Sequence, residues 1–216
     1  MFHLHPTMKR RYDEQKAGRC IVNRRLKLAC VLVPKTASTT MRYVLGPYEL
    51  LRDTKDAHHR VLKQCSIVMI VREPLSRFVS GYVEVEHRLR SPKTALPVLR
   101  QQSFTQVNDP KKRFRRFVQN VHKGIFDQHL VQQSRYLRSM RCKINEWLVF
   151  ERIAEHLQSY RKQHKIARGI PHRKRSKQRQ LYVHLLNALK NDRRLRSAVT
   201  EMYREDFKLY EEIAHA

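Results

Sequence analysis

Glycine is scarce in this chain, 5 of 216 residues, and none lies between Gly18 and Gly46. A nucleotide-triphosphate loop needs glycines directly ahead of its lysine, so that motif is excluded from the stretch. Acidic residues are scarce as well, 19 against 46 Lys and Arg, which leaves a net charge of +27. A surface of that sign draws in polyanions. Nucleic acid, an anionic glycan or a membrane surface would each answer to it, and charge alone does not choose among them. From Met1 to Arg25 no apolar run has the length of a signal peptide or membrane anchor. The four cysteines (Cys20, Cys30, Cys65, Cys142) form no C-x-x-C pair and no ligand spacing with histidine, so no metal site is expected. Their even number permits disulfides without requiring them, and Cys30 and Cys65 read as buried thiols. Proline is also sparse, with no repeat and no low-complexity linker, and the length suits one domain with one substantial core.

What is present begins at Leu28. Leu28 to Val33 is an unbroken apolar run rich in β-branched residues, stopped by Pro34, which predicts a strand buried on both faces. Lys35 and the hydroxyl residues Thr36, Ser38, Thr39 and Thr40 follow, and then a segment of helical periodicity. A strand, a tight turn and a helix N-terminus gather free backbone N–H groups around one point. With Lys35 beside them they form a cradle for phosphate or sulfate. The alternative is a hydroxyl-rich helix cap with Lys35 in water. A second apolar run, Ser66 to Val71, ends abruptly in Arg72. Pro74 suits the first turn of a helix, where its missing N–H costs nothing. Leu75, Phe78, Val79 and Tyr82 then repeat at helical spacing. Arg72 and Ser80 can thus converge on a second anion.

Taken together, Pro34-Lys-Thr-Ala-Ser-Thr-Thr40 and Arg72-Glu-Pro with Ser80 eight residues on resemble the sulfotransferases that use 3′-phosphoadenosine 5′-phosphosulfate (PAPS). The wording is closest to the Golgi carbohydrate enzymes of the uronyl 2-O and chondroitin type. The resemblance implies that Pro34, Lys35, Thr36, Ala37, Ser38, Thr39 and Thr40 grip the 5′-phosphosulfate and that Arg72 and Ser80 bind the 3′-phosphate. It implies a nucleotide donor without a metal, an anionic glycan as acceptor and a Golgi location. Membrane association is implied by the family alone, and Golgi members usually carry an N-terminal anchor, from which this sequence departs. Arg161 to Arg179 holds nine Lys or Arg and no acidic residue. In the family a basic loop at this point closes over the nucleotide, which would give that role to Arg173, Lys174 and Ser176; otherwise the run is a solvated loop. For the general base the uronyl branch implies a histidine between the two motifs, His58 or His59, while other branches imply a Glu, here Glu49. A polar connection over Asp53 to Gln64 is the plain alternative.

Fainter matches continue the resemblance to Tyr210. Met41 to Leu51 reads as the first helix, bent at Gly46-Pro47. A helix is expected from Pro74 to about Arg90, and another carries Phe114, Phe117, Val118 and Val121, with Gly124 as its C-cap and a solvated basic face. His129-x-x-x-Gln133-Ser134 matches a family stretch lining the acceptor or adenine side, or it is a helix start in water. Glu146 to Glu151 reads as a third buried strand with Trp147 in the core. Leu181 to Leu189 and Leu195 to Tyr210 have helical spacing, and Tyr203-Arg-Glu-Asp206-Phe207 resembles the family's closing phrase. The expected architecture is one α/β domain over 26–216, a P-loop-like, mostly parallel sheet flanked by helices. A basic lead-in over 1–25 precedes it, and the donor lies at the carboxyl ends of the strands. The competing reading is a basic nucleic-acid- or polyanion-binding protein without catalysis, although no specific nucleic acid is expected.

Overall fold

A computed structural model of the chain describes residues 19–51, 56–90, 107–121, 128–140, 142–171 and 178–215. Strands β1 (Cys20–Asn23) and β2 (Leu28–Val31) form a hairpin, followed by helix α1 (Ser38–Val44) and the short strand β3 (Glu49–Leu51). Helix α2 (Asp56–Lys63) then leads into β4 (Ser66–Val71) and the long helix α3 (Pro74–Arg90). After these come α4 (Pro110–Val121), α5 (Gln133–Ser139), β5 (Glu146–Val149) and α6 (Ile153–Gln163). The chain closes with α7 (Arg179–Asn191), α8 (Arg193–Met202) and α9 (Arg204–Ala214).

The five strands lie in the order β3-β1-β2-β4-β5. β2, β4 and β5 run parallel, whereas β1 joins β2 and β3 antiparallel. The α/β architecture is the expected one, and the sheet is mixed, with its parallel part in the centre. β2 and β4 are apolar without interruption because both of their faces are covered. Cys30, Val68 and Ile70 face α1 and α6, packing with Met41, Leu157 and Tyr160. Ala29, Val31, Ile67 and Met69 face the other way, toward Leu62 of α2 and Tyr136 of α5. A second core, mostly helical, joins α3, α4, α7 and α8 around Phe78, Tyr82, Phe114 and Phe117.

Three local readings change. The helix over Met41 onward ends at Val44 rather than bending at Gly46-Pro47, and Glu49–Leu51 is an edge strand. The polar segment before β4 is helical, because α2 is the crossover that returns the chain to the start of β4. β1 lies inside the stretch read as lead-in, and its four residues are fully buried in the sheet. The basic face of α4 has one exception: Arg113 is buried and paired with Glu86 at 2.6 Å. All four cysteines are free thiols, Cys30 buried as expected and Cys65 half-buried. Burial pushes the Cys30 thiol up to about 12. Among the described residues no helix is long and apolar enough to cross a membrane.

The closing phrase has a structural task. Asp206 of α9 is fully buried, and its carboxylate accepts the backbone N–H groups of Gln133 and Ser134 at 2.7 and 2.8 Å. It thereby caps α5 from across the domain. The buried Arg77 lies 3.9 Å from the same carboxylate, and the Tyr203 hydroxyl donates to the carbonyl of Leu130. Asp206→Asn keeps one acceptor and loses the charge, so we expect a stability loss of about 1–3 kcal/mol, read from the urea midpoint. An unchanged midpoint would show that the cap carries no weight.

Candidate active site

Strand β2 runs out through Leu32 and Val33 into a turn that has no glycine and adopts left-handed backbone twice. Lys35 has φ 68° and Ala37 φ 59°. Such a conformation costs a residue with a Cβ about 1–2 kcal/mol and persists where surrounding contacts over-determine it. Here three contacts do so. The Thr36 hydroxyl, buried, donates to the Val33 carbonyl at 2.9 Å. The Arg77 Nε–H donates to the Pro34 carbonyl at 3.3 Å. One arm of Arg72 donates to the Lys35 carbonyl at 3.0 Å. The two arginines of Arg72-Glu-Pro-Leu-Ser-Arg77 therefore shape the lysine turn directly. α1 begins immediately after it, with the first N–H groups of Ser38, Thr39 and Thr40 in the position where a helix leaves donors unmatched. The Thr36 side chain is turned inward, so it serves the turn rather than a ligand.

Arg72 is 8 % exposed and held on every side. Its Nε–H donates to the Ser76 hydroxyl and its second arm to the Tyr182 hydroxyl of α7, both at 3.0 Å. The guanidinium lies 4.2 Å from the centre of the Phe150 ring. Burial pulls its pKa below the ordinary value, opposed by Tyr182 and Glu151. The backbone beside it is clamped by Gln133, whose side-chain amide accepts from the Arg72 N–H at 2.9 Å and donates to the Arg72 carbonyl at 2.8 Å. Gln133 is thus neither in water nor on the cleft: it is fully buried and fixes the end of β4. Glu73 caps α3, its carboxylate accepting from the N–H groups of Leu75 and Ser76, and Pro74 sits in the first turn as predicted.

α3 is buried nearly all round, yet Ser76, Ser80, Glu84 and Arg88 are half-buried. Their spacing of four places them on one face. Ser76 holds Arg72, and Glu84 holds Lys35 through a 2.8 Å ion pair, so Ser80 stands one turn from each anchor. Burial pushes the Glu84 carboxyl up, but Lys35, with Arg88 and His129 behind it, outweighs this and keeps it below the usual carboxylate range. Arg88 continues the network, donating to Glu84 at 3.1 Å and approaching Nε2 of His129 at 3.0 Å.

His129 occupies a turn pressed against α3 at Gly81, where an added Cβ would meet the His129 carbonyl oxygen at 2.5 Å. Only glycine allows that approach. On the other side of the lysine turn is a cavity of about 390 Å³ whose wall includes Arg19, Lys35, Ser38, Thr39, Arg42 and His129. Glu84 and Arg88 carried no signal in the sequence, whereas His129 did through its family stretch; how the three meet depends on how the 128–130 turn packs on α3.

Of the expected site residues, Pro34 to Thr40, Arg72 and Ser80 come together at the carboxyl ends of β2 and β4. His58 and His59 lie in the first turn of α2, and their side chains are outside the described residues, as are Arg173, Lys174 and Ser176 entirely. Leu51 and Val31 both pair with Cys20, so β3 ends at the same edge as β2. Glu49 lies toward the opposite edge, paired with Arg24 at 2.8 Å, which removes it as a base for chemistry at Lys35. No curated protein and no solved structure matches the chain. The sequence model of the sulfotransferase family does match, over residues 18–211, from the residues before β1 through both anion motifs and into α9. The chain therefore belongs to the sulfotransferase family.

Proposed function

We propose that the protein transfers a sulfuryl group from PAPS to a hydroxyl of a carbohydrate, a glycosaminoglycan or related anionic glycan. The observation that carries this reading is the 3.0 Å bond from Arg72 to the Lys35 carbonyl, which joins the two anion motifs into one site. A basic protein that merely coats polyanions has no need of a strained lysine turn locked by two buried arginines.

In this reading the turn from Lys35 to Thr40 holds the 5′-phosphosulfate with its backbone N–H groups and with the Ser38 and Thr39 hydroxyls. Arg72 and Ser80 hold the 3′-phosphate. Lys35 faces the oxygen that bridges sulfur and phosphorus and neutralises the charge that grows there as the bond breaks. The acceptor hydroxyl attacks sulfur in line, its proton passes to a base, and adenosine 3′,5′-bisphosphate leaves. Arg173, Lys174 and Ser176 are proposed to close over the nucleotide. In support, their segment leads straight into α7, whose Tyr182 touches Arg72. The base is a histidine: His58 or His59 by resemblance, or His129 by its place on the cavity wall. The Golgi lumen is the proposed compartment, again by resemblance.

The test is binding followed by transfer. Adenosine 3′,5′-bisphosphate is expected to bind saturably and to outcompete AMP, and labelled PAPS to modify a member of a panel of desulfated glycosaminoglycans. Nucleic acid bound tightly with no nucleotide preference would overturn the reading. Arg72→Ala carries a further expectation. A charged hydrogen bond is worth about 1.5–3 kcal/mol, so preference for the 3′-phosphorylated nucleotide should fall about ten- to a hundredfold. Because Arg72 also braces the lysine turn, turnover should fall with it; Arg72→Lys should keep the charge yet not restore turnover, since an ammonium lacks the fork that meets Ser76, Lys35 and Tyr182 together. Nucleotide preference surviving Arg72→Ala would show that the 3′-phosphate sits elsewhere.

A further inference from the structure

The cavity beside Lys35 has a wall of one charge. Arg19, Lys35 and Arg42 line it, and among the described residues no Asp or Glu does. Lys35 is neutralised by Glu84, but among the described residues the two arginines have no such partner. The Nε–H of Arg19 and that of Arg42 are each buried without a hydrogen-bond acceptor among the described residues. Those two nitrogens are closed to the cavity, but both side chains are only half-buried and line its wall, which leaves the outer part of each guanidinium to meet an anion there. Both positions are built by the fold. Arg19 is tied to the exit of β2 through the bond from the Leu32 N–H to its carbonyl, 2.8 Å, and Arg42 projects from α1 one turn beyond Ser38 and Thr39.

The location narrows what the ligand is. The cavity shares Lys35, Ser38 and Thr39 with the lysine turn, but no residue of α3 lines it, nor does Arg72. It therefore lies on the side of Lys35 away from the 3′-phosphate position and opens beside the sulfuryl group that Lys35 faces in this reading, where the acceptor has to come. A volume of about 390 Å³ is that of a small-molecule pocket.

We propose that this cavity takes an acidic sugar residue of the acceptor and that Arg19 and Arg42 bind its anionic substituent, a carboxylate or a sulfate ester. The inference rests on the sulfotransferase reading for its orientation, but the anion preference is measurable without turnover. The two arginines act as specificity determinants: they pair the acid, and pairing places the neighbouring hydroxyl toward Lys35 and His129. A neutral sugar would leave both guanidinium groups desolvated and unmatched, so it is rejected by the cost of that mismatch.

Three hexasaccharides test this by calorimetry, with and without adenosine 3′,5′-bisphosphate: desulfated chondroitin, its carboxyl-reduced form, and a sulfated carboxyl-reduced form. The wild-type chain is expected to prefer at least one acidic form about ten- to a hundredfold over the neutral one. Arg19→Gln and Arg42→Gln should each erase most of that preference while nucleotide affinity stays within about twofold, and Arg42→Lys should retain part of it. The sulfated and unsulfated arms distinguish a sulfate-reading from a carboxylate-reading cavity. Equal binding of all three sugars overturns the inference. So does a preference that survives both substitutions, or a tenfold loss of nucleotide affinity in Arg42→Gln, which would assign the arginines to the donor. If the nucleotide fails to bind while the arginine-dependent preference persists, the donor reading falls and the anion-binding cavity stands.

Discussion

Lys35→Ala is expected to lower kcat about 10²–10³-fold, the scale for removing one well-placed electrostatic donor from a developing negative charge. The ammonium is worth more in the transition state than in the ground state, because charge accumulates on the leaving oxygen as sulfur departs. The geometry adds a condition. Lys35 is paired with Glu84 at 2.8 Å, and Glu84 has Arg88 as its second partner. On the proposed PAPS reading, deleting Lys35 would leave a carboxylate beside the donor's phosphosulfate with half its compensation gone. The single variant should therefore lose donor affinity as well as turnover. The double variant, Lys35→Ala with Glu84→Gln, separates the two effects. Removing the unopposed carboxylate should restore nucleotide binding to within a few-fold of wild type and leave kcat at the level of the single variant. Such non-additivity is the mark of residues in direct contact. A double variant that recovers turnover would show that Lys35 serves only to neutralise Glu84, and its role at the leaving group would be lost.

His129→Ala is expected to lower kcat about 10²–10⁴-fold, the range for a positioned general base, with nucleotide affinity unchanged. A sugar hydroxyl is a weak nucleophile, and a neutral imidazole is the side chain suited to take its proton near neutral pH. His129 is on the wall of the cavity that contains Lys35. Arg88 approaches its Nε2 at 3.0 Å, and an arginine can only donate, so that lone pair is engaged and Arg88 must give way to the acceptor hydroxyl for Nε2 to take its proton. Gly81 brings the whole turn against α3 and so sets the ring's distance from the lysine turn. The comparison includes His58→Ala and His59→Ala, since β3 ends at the carboxyl edge and α2 starts five residues later. In the variant that loses the base, the rise in rate on the acid side of the pH profile should disappear. If His129→Ala retains turnover and one of the α2 variants loses it with that limb, the base is on α2.

Much of the molecule follows from local chemistry. An apolar run closed by Pro34, and another closed by Arg72, each mark a parallel strand, because a strand covered on both faces needs no alternation. Glu73-Pro74 marks the start of α3, and the apolar spacing of α3, α4 and the last three helices is a property of each segment alone. The two anion motifs are legible for the same reason: each is a strand end, a turn and a helix start contiguous in the chain.

What the tertiary structure decided is everything that joins distant segments. Glu49–Leu51 looks like a continuation of α1, and it becomes a strand only because β1 offers an unpaired edge. Gln133 looks like a polar residue at a helix start, and it is buried because the end of β4 and Asp206 supply its partners. The lysine turn has no glycine to supply a positive φ. Yet Lys35 and Ala37 adopt left-handed backbone because Arg72 and Arg77, about forty residues on, hold the turn's carbonyls. Glu84, Arg88 and His129 gain their meaning from a single close approach at Gly81. Sequence determines propensity and pattern over a few residues, whereas the site is made of contacts between segments, which exist only once the sheet has brought those segments to one edge.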